Sequence, residues 1–252
     1  MGVVFQKNSI SVDITPNTKH QTPNAKRQTP NTKHQTPNAK LFLYCTMTYN
    51  YLALGDSYTI GEQVPLHDSF PYQTVQLLRK HFASRHTFFA PEIVAKTGWT
   101  TDEKNHHISN ITLLEKYDFV SLLIGVNNQY RGRSVENYKE EFKHLLQQAI
   151  EFAGGISNHV FVISIPDWGK TPFASERDIQ KIALEIDEYN NACKEISLAH
   201  HCHFIDITTS QRADSHLEEF IAEDKLHPSG KEYAKWAGRL FEGIVNLIES
   251  AV

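Results

Sequence analysis

Five short apolar runs, at residues 51–54, 92–95, 119–124, 160–165 and 204–207, recur along the chain with stretches of helical periodicity between them. Several are apolar at consecutive positions, which implies strands covered on both faces, because a strand with one wet face alternates apolar and polar residues. Parallel strands need a long crossover, and a helix supplies it. The expected fold class is α/β: a three-layer α/β/α sandwich around a mostly parallel sheet of about five strands.

The helices are legible from apolar spacing. Tyr138, Phe142, Leu145, Leu146, Ala149, Ile150 and Ala153 form one stripe, which Gly154-Gly155 should end. Ile179, Ile182, Ile186, Tyr189, Cys193 and Ile196 form a second, too short in its repeat for a coiled coil and better read as a helix packed on the sheet. Tyr233, Trp236, Ala237, Leu240, Phe241, Ile244 and Ile248 mark the last helix, with Ser229-Gly230-Lys231-Glu232 expected to open it as a capping box.

The 252 residues are 40% hydrophobic and 21% charged, enough for one sizeable core, which these patterns place at residues 47–252. Residues 1–46 read differently. A seven-residue repeat, Gln-Thr-Pro-Asn-Thr-Lys-His with small variations, holds four of the ten prolines and has no apolar seam to bury. The expectation is a disordered or non-native repeat-containing tail. Six Lys/Arg against one Asp give that tail +5, whereas residues 47–252 carry −9. It lacks aromatic interleaving and a dense basic run, so solvated filler is preferred to a nucleic-acid arm. Met47, one of two methionines, stands where repeat gives way to fold and is the expected natural start. The run Leu41-Phe42-Leu43-Tyr44-Cys45 is too short for a signal segment, and Tyr44 is too large to precede a processed cysteine. No apolar stretch of about 20 residues exists, so membrane insertion is not expected. Cys45, Cys193 and Cys202 form no paired framework, which fits a reducing compartment and makes the cytoplasm the default.

Gly55-Asp56-Ser57 ends the first apolar run, and Asp224-Lys225-Leu226-His227-Pro228 follows roughly 170 residues later. A hydroxyl at the carboxyl end of a strand lies where open α/β sheets place their sites. Serine is a poor nucleophile until an imidazole takes its proton, and the imidazole needs a partner to fix its tautomer. His227 and Asp224 could supply both. Alone, Ser57 reads first as a turn residue or an N-cap, and only the distal partners reverse that preference; the i to i+3 spacing of Asp224 and His227 does not itself bring them together.

With Lys96-Thr97-Gly98-Trp99 and Gly125-Val126-Asn127-Asn128 lying between them in order, these residues resemble the SGNH (GDSL-type) hydrolases, from Tyr49 to about Val245. The resemblance implies a flavodoxin-like SGNH fold and an ester hydrolase working through an acyl-enzyme on Ser57. It makes His227 the general base, Asp224 its orienting partner, and the Ser57 and Gly98 amides with the Asn127 side chain an oxyanion hole. It implies a small-molecule ester substrate and no metal or organic cofactor. Asn128 departs from the family pattern, which usually has Asp there, and should alter local support more than chemistry. The alternatives are a lysophospholipase or thioesterase, or a non-enzymatic ligand-binding protein on the same scaffold.

Asp56 is expected to be structural, its carboxylate satisfying turn amides. Residues 129–133 and 166–169 should flank the Ser57 pocket, where Arg131 could bind an anionic or polyhydroxylated substrate and Trp99 or Trp168 could stack on a sugar or acyl chain. A surface salt bridge for Arg131 and loop cores for the tryptophans are the competing readings. His200-His201-Cys202-His203 and His106-His107 look like metal clusters, yet adjacent side chains point apart, so helix-end solvation is preferred. No Gly-rich phosphate loop and no Gly-x-Ser-x-Gly elbow occurs.

Overall fold

A computed structural model describes residues 46–250. The expectations for residues 1–45, including the repeat and the run ending at Cys45, lie outside the described residues. The chain divides into two units between Leu43 and Tyr44, and the described residues all belong to the second.

The strands are β1 (Met47–Tyr49), β2 (Tyr51–Gly55), β3 (His86–Phe88), β4 (Glu92–Ala95), β5 (Phe119–Leu122), β6 (Val160–Ile163) and β7 (His203–Ile205). Five of them make one sheet in the order β4-β2-β5-β6-β7, and every pairing in it is parallel. β2, β5 and β6 are buried along their whole length, as consecutive apolar positions require. The strands stop short of the apolar runs that mark them. Leu123, Ile124, Ile165 and Ile207 continue past the last pairing and stay buried as the chain leaves the sheet. The sequence patterns also omit a two-stranded parallel extension, β1 with β3. Three residues per strand are too few for a period to show.

The helices are α1 (Ser57–Ile60), α2 (Phe70–Phe82), α3 (Thr101–Ile108), α4 (Val126–Tyr130), α5 (Val135–Phe152), α6 (Ile179–Ala199), α7 (Thr208–Asp214) and α8 (Gly230–Ser250). α2 packs against α8, while α3 and α6 pack against α5, giving helical layers on the two faces of the sheet. α5 buries Tyr138, Phe142, Leu145, Leu146 and Ala149 and ends at Ala153, with Gly154 and Gly155 at positive φ. The capping box expected at Ser229 is only half formed. Ser229 Oγ accepts from the Lys231 amide at 3.2 Å, but buried Glu232 turns inward to accept from Trp236 Nε1 at 3.0 Å. The full reciprocal box opens α3 instead, between Thr100 and Glu103.

Sheet order decides where a site can form. Taken in order of appearance within the sheet the strands read 2-1-3-4-5, so the direction of winding reverses between β2 and β5, and a crevice opens beyond their carboxyl ends.

Candidate active site

Ser57 stands at that crevice, as the first residue of α1 directly after β2. Asp56 caps the helix with its side chain, accepting from the Tyr58 amide at 3.1 Å, and Gly61 closes it in the left-handed region at φ 78. A Cβ on Gly61 would meet the Ser69 side chain at 2.5 Å, so glycine is required twice over.

His227 and Asp224 come from the loop before α8. Their i to i+3 spacing closes because Lys225 takes φ 63, which folds the chain back so that Asp224 Oδ1 accepts from the amides of Leu226 and His227 at 3.0 and 2.9 Å. A left-handed lysine costs on the order of 1 kcal/mol, which these two bonds offset. Asp224 Oδ2 is then 2.5 Å from His227 Nδ1, and His227 Nε2 is 3.0 Å from Ser57 Oγ. Burial alone would raise the Asp224 carboxyl, but the His227 side chain and the two amides outweigh it and hold the group below the ordinary carboxylate value. The Tyr58 ring lies 5.0 Å from the imidazole and backs it.

Gly98 follows β4 at φ 81, and Asn127 sits in the first turn of α4 after β5. Both line one cavity of about 210 Å³ together with Ser57 and His227. Among the described residues, the amides of Ser57 and Gly98 donate to no protein acceptor. Asn127 Nδ2 donates to the Trp99 carbonyl at 3.1 Å and, at a long 3.4 Å, to Asp56 Oδ2. Asp56 therefore does more than cap its own turn. It is fully buried, and that burial pushes its carboxyl up to about 7 against the stabilising Tyr58 amide, Lys104 charge and Asn127 amide.

Asn128 holds the neighbouring elements. Its Oδ1 accepts from the Thr101 amide at 3.1 Å and its Nδ2 donates to Thr101 Oγ1 at 2.6 Å, while that hydroxyl donates to Glu141. An aspartate here could not donate and would place a second carboxylate near Glu141, which gives the departure from the family pattern a physical reason.

The three aromatic or cationic candidates separate. Trp168 walls the cavity, 5% exposed, with Nε1 donating to Gln129 Oε1 at 2.7 Å. Trp99 and Arg131 instead line an adjoining polar cleft of about 710 Å³ that shares only Thr97 and Gly98 with the cavity. Arg131 donates to the Gly98 carbonyl at 2.7 Å and pairs with Glu103 at 3.1 Å. Trp99 packs 4.6 Å from the His107 ring. The remaining cavity walls are Tyr58, Val126, Tyr130, Phe173 and Leu226. Phe173 and Leu226 carry no motif; the only signal for them is position, on loops at the carboxyl edge of the sheet. His200 Nδ1 lies 2.9 Å from the Ile196 carbonyl at the end of α6, and the His203 ring stacks on Phe161. Among the described residues no group of three or more His, Cys, Asp and Glu could hold a metal ion, and no helix is long and apolar enough to cross a membrane.

The sequence pattern of the GDSL-like lipase/acylhydrolase family matches residues 53–235. Solved structures with the same fold include a lipase/acylhydrolase from Enterococcus faecalis, 21% identical over 77% of this chain and 95% of that one, with a TM-score of 0.60. The lipase Lip_vut3 from a goat rumen metagenome is 18% identical over 79% and 97%, with a TM-score of 0.62. The psychrotrophic esterase EstA from Pseudoalteromonas sp., a structure described as inhibited by monoethylphosphonate, is 13% identical over 80% and 99%, with a TM-score of 0.59. No curated protein matches the chain.

Proposed function

The chain belongs to the GDSL-like lipase/acylhydrolase family, hydrolases acting on ester bonds, and from that premise we propose that it cleaves carboxylic esters through an acyl-enzyme on Ser57. The observation that carries this reading is the line from Ser57 Oγ to His227 Nε2 at 3.0 Å and from His227 Nδ1 to Asp224 at 2.5 Å, ending at a cavity. His227 takes the hydroxyl proton as Ser57 attacks the ester carbonyl, and Asp224 fixes the tautomer and stabilises the imidazolium. The oxyanion is held by the Ser57 and Gly98 amides and by Asn127. Of the two Asn127 hydrogens, the one held loosely by Asp56 at 3.4 Å is the one free to turn to it. His227 then protonates the departing alcohol and activates the water that releases the acid.

The cavity supports a small apolar acyl group. Its volume of about 210 Å³ lies below the roughly 300 Å³ at which drug-sized ligands fit, and Val126, Tyr130, Trp168, Phe173 and Leu226 make its walls apolar and aromatic. Trp168 bounds the acyl group. In the adjoining cleft Trp99 offers a stacking face to a polar alcohol, and Arg131, engaged through both terminal nitrogens, supports the Gly98 loop rather than the substrate.

The test is a fluorophosphonate label with a p-nitrophenyl ester series. The wild type should be labelled at Ser57 and should hydrolyse acetate and butyrate faster than palmitate, while Ser57→Ala should lose on the order of 10³-fold or more in turnover with its fold intact. Equal turnover by folded Ser57→Ala removes Ser57 from the reaction. A preference for palmitate favours the lysophospholipase or thioesterase reading, and a wild type that is neither labelled nor active favours a binding protein.

A further inference from the structure

Lys104 is fully buried in the middle of α3, a place where lysine is almost never found without a partner. Its Nζ donates to the Val94 carbonyl near the end of β4 at 2.5 Å and lies 5.3 Å from the centre of the Trp99 ring. Among the described residues, no carboxylate comes within ion-pair distance of this nitrogen. A leucine or methionine would fill a helix face over a sheet without burying a charge, so the ammonium calls for a reason.

Asp56 supplies one. It is the carboxylate whose charge acts on Lys104, it is itself fully buried, and it is the residue before Ser57. One of its oxygens caps the Ser57 turn through Tyr58, and the other faces the Asn127 amide. Asn127 in turn bonds to the carbonyl of Trp99, whose ring Lys104 underlies. Lys104 thus touches the Gly98 loop through Val94 and Trp99, and the Trp99 carbonyl links that loop to Asn127 and, through it, to Asp56.

We infer that Lys104 is a positioning residue for ester hydrolysis. Its bond to Val94 and its seat under Trp99 fix the Gly98 loop, whose Trp99 carbonyl holds Asn127, and its buried charge favours Asp56 as the acceptor that holds the Ser57 turn. Burial drives the two groups in opposite directions, Asp56 up to about 7 and Lys104 down to about 7, and the charge of each opposes the shift of the other. Loss of the ammonium therefore leaves Asp56 with burial less opposed, and a protonated Asp56 is a weaker acceptor for the Tyr58 amide that holds the Ser57 turn. This inference rests on the proposed acyl transfer at Ser57.

The experiment compares wild type, Lys104→Met, Lys104→Gln, Asp56→Asn and the Asp56→Asn/Lys104→Met double variant on p-nitrophenyl acetate, with melting temperatures for each. Both Lys104 variants should lose between about tenfold and a hundredfold in kcat, the range expected of a misplaced catalytic group, with KM within about twofold. Lys104→Met should melt no lower than wild type, since it removes a buried charge. In the Asp56→Asn background, Lys104→Met should cost little more, because the charge of Lys104 acts on the site through Asp56. Full kcat in either folded Lys104 variant overturns the inference; for Lys104→Gln it would mean that the Val94 hydrogen bond suffices without the charge. Fully additive losses in the double variant overturn the link through Asp56. If Lys104→Met does not fold, Lys104→Gln and its rate of fluorophosphonate labelling decide. An inactive, unlabelled wild type would sink the proposed function itself, whereas an active wild type with fully active Lys104 variants sinks only this inference.

Discussion

Asn127 and Ser57 illustrate how a side chain's role follows from what its other bonds leave free. Asn127 Nδ2 holds the Trp99 carbonyl at 3.1 Å and Asp56 at 3.4 Å, so replacing it removes the proposed oxyanion donor and also a tie between α4 and the loop after β4. Asn127→Ala should therefore lower kcat by roughly a hundredfold or more, with a smaller change in KM, since the donor acts on charge that develops in the transition state. Steady-state kinetics on p-nitrophenyl acetate check this, and a pure KM effect would recast Asn127 as a binding group. At this scale the sequence was legible wherever a residue type has one chemical use. Ser57, Asp224 and His227 are found from their chemistry and family pattern, and the structure brings all three to one crevice. Arg131 was not legible in that way, because a guanidinium serves an anion, a carboxylate or a backbone carbonyl equally well. Here it faces Glu103 and the Gly98 carbonyl. Lys104 gave no signal at all. In Thr-Asp-Glu-Lys-Asn-His-His it reads as one more polar residue on a solvated helix face, and only the packing of α3 against the sheet end buries it.

The short helices that carry the site depend on backbone shapes few residues can take. Gly125 precedes α4 at φ 132, and a Cβ there would meet the Tyr138 ring at 2.7 Å, a ring that α5 buries completely and whose hydroxyl donates to the Ile124 carbonyl. Gly125→Ala should cost about 2–4 kcal/mol from strain and overpacking combined, and should lower kcat as well by displacing Asn127. Chemical denaturation with parallel kinetics measures both, and a variant of unchanged stability would mean that α5 yields easily. Between α3 and the loop after α4, Arg133 pairs with Asp102 at 2.6 Å. Burial would raise Asp102, but the bonds from Arg133 and Thr100 outweigh it and hold the carboxyl to about 2. Its folded value is depressed below the ordinary carboxylate value of 3.8, so the unfolded chain binds the proton first as pH falls. The resulting stability is complete well above pH 4 and is lost as pH drops toward 2. Urea midpoints should fall below pH 4, and Arg133→Met should shallow that fall; an identical acid limb in the variant would show that the pair contributes nothing. The long helices α5, α6 and α8 were readable because their stripes run for several turns. α1 and α4, one turn each, had no period to read, and Glu232 was misassigned to a cap because a capping box and an inward-facing glutamate have the same sequence.

At the scale of the whole molecule, a fully parallel sheet must have both faces covered, and the two helical layers do this with α2 and α8 on one side and α3, α5 and α6 on the other. That architecture follows from consecutive apolar strands and could be read from the sequence; the shape of the cavity could not, because Tyr130, Phe173 and Leu226 lie on loops whose paths no local pattern fixes. Where the fold begins is open to a sharp test. β1 starts at Met47 and pairs with β3, and Tyr49 stacks its ring 5.0 Å from Phe88 and 5.3 Å from Phe119. Asn50 then donates its amide to Asp118 Oδ2 at 2.7 Å and accepts the Asp118 amide at 2.9 Å, which locks the entry to β2 against β5. The Pro-Asn-Lys repeat between residues 14 and 40 offers no apolar face to such a network. Deleting residues 1–46 should therefore leave the melting temperature and kcat/KM on small esters nearly unchanged. Deleting residues 1–50 should cost about 2 kcal/mol or more, since it removes one partly buried aromatic ring, the β1–β3 pairing and the Asn50 bonds to Asp118 and Phe119, and should lower the melting temperature by roughly 4–8 °C for a chain of this size. A large fall on the first deletion would place part of the repeat in the core, and no fall on the second would make the β1–β3 pair dispensable.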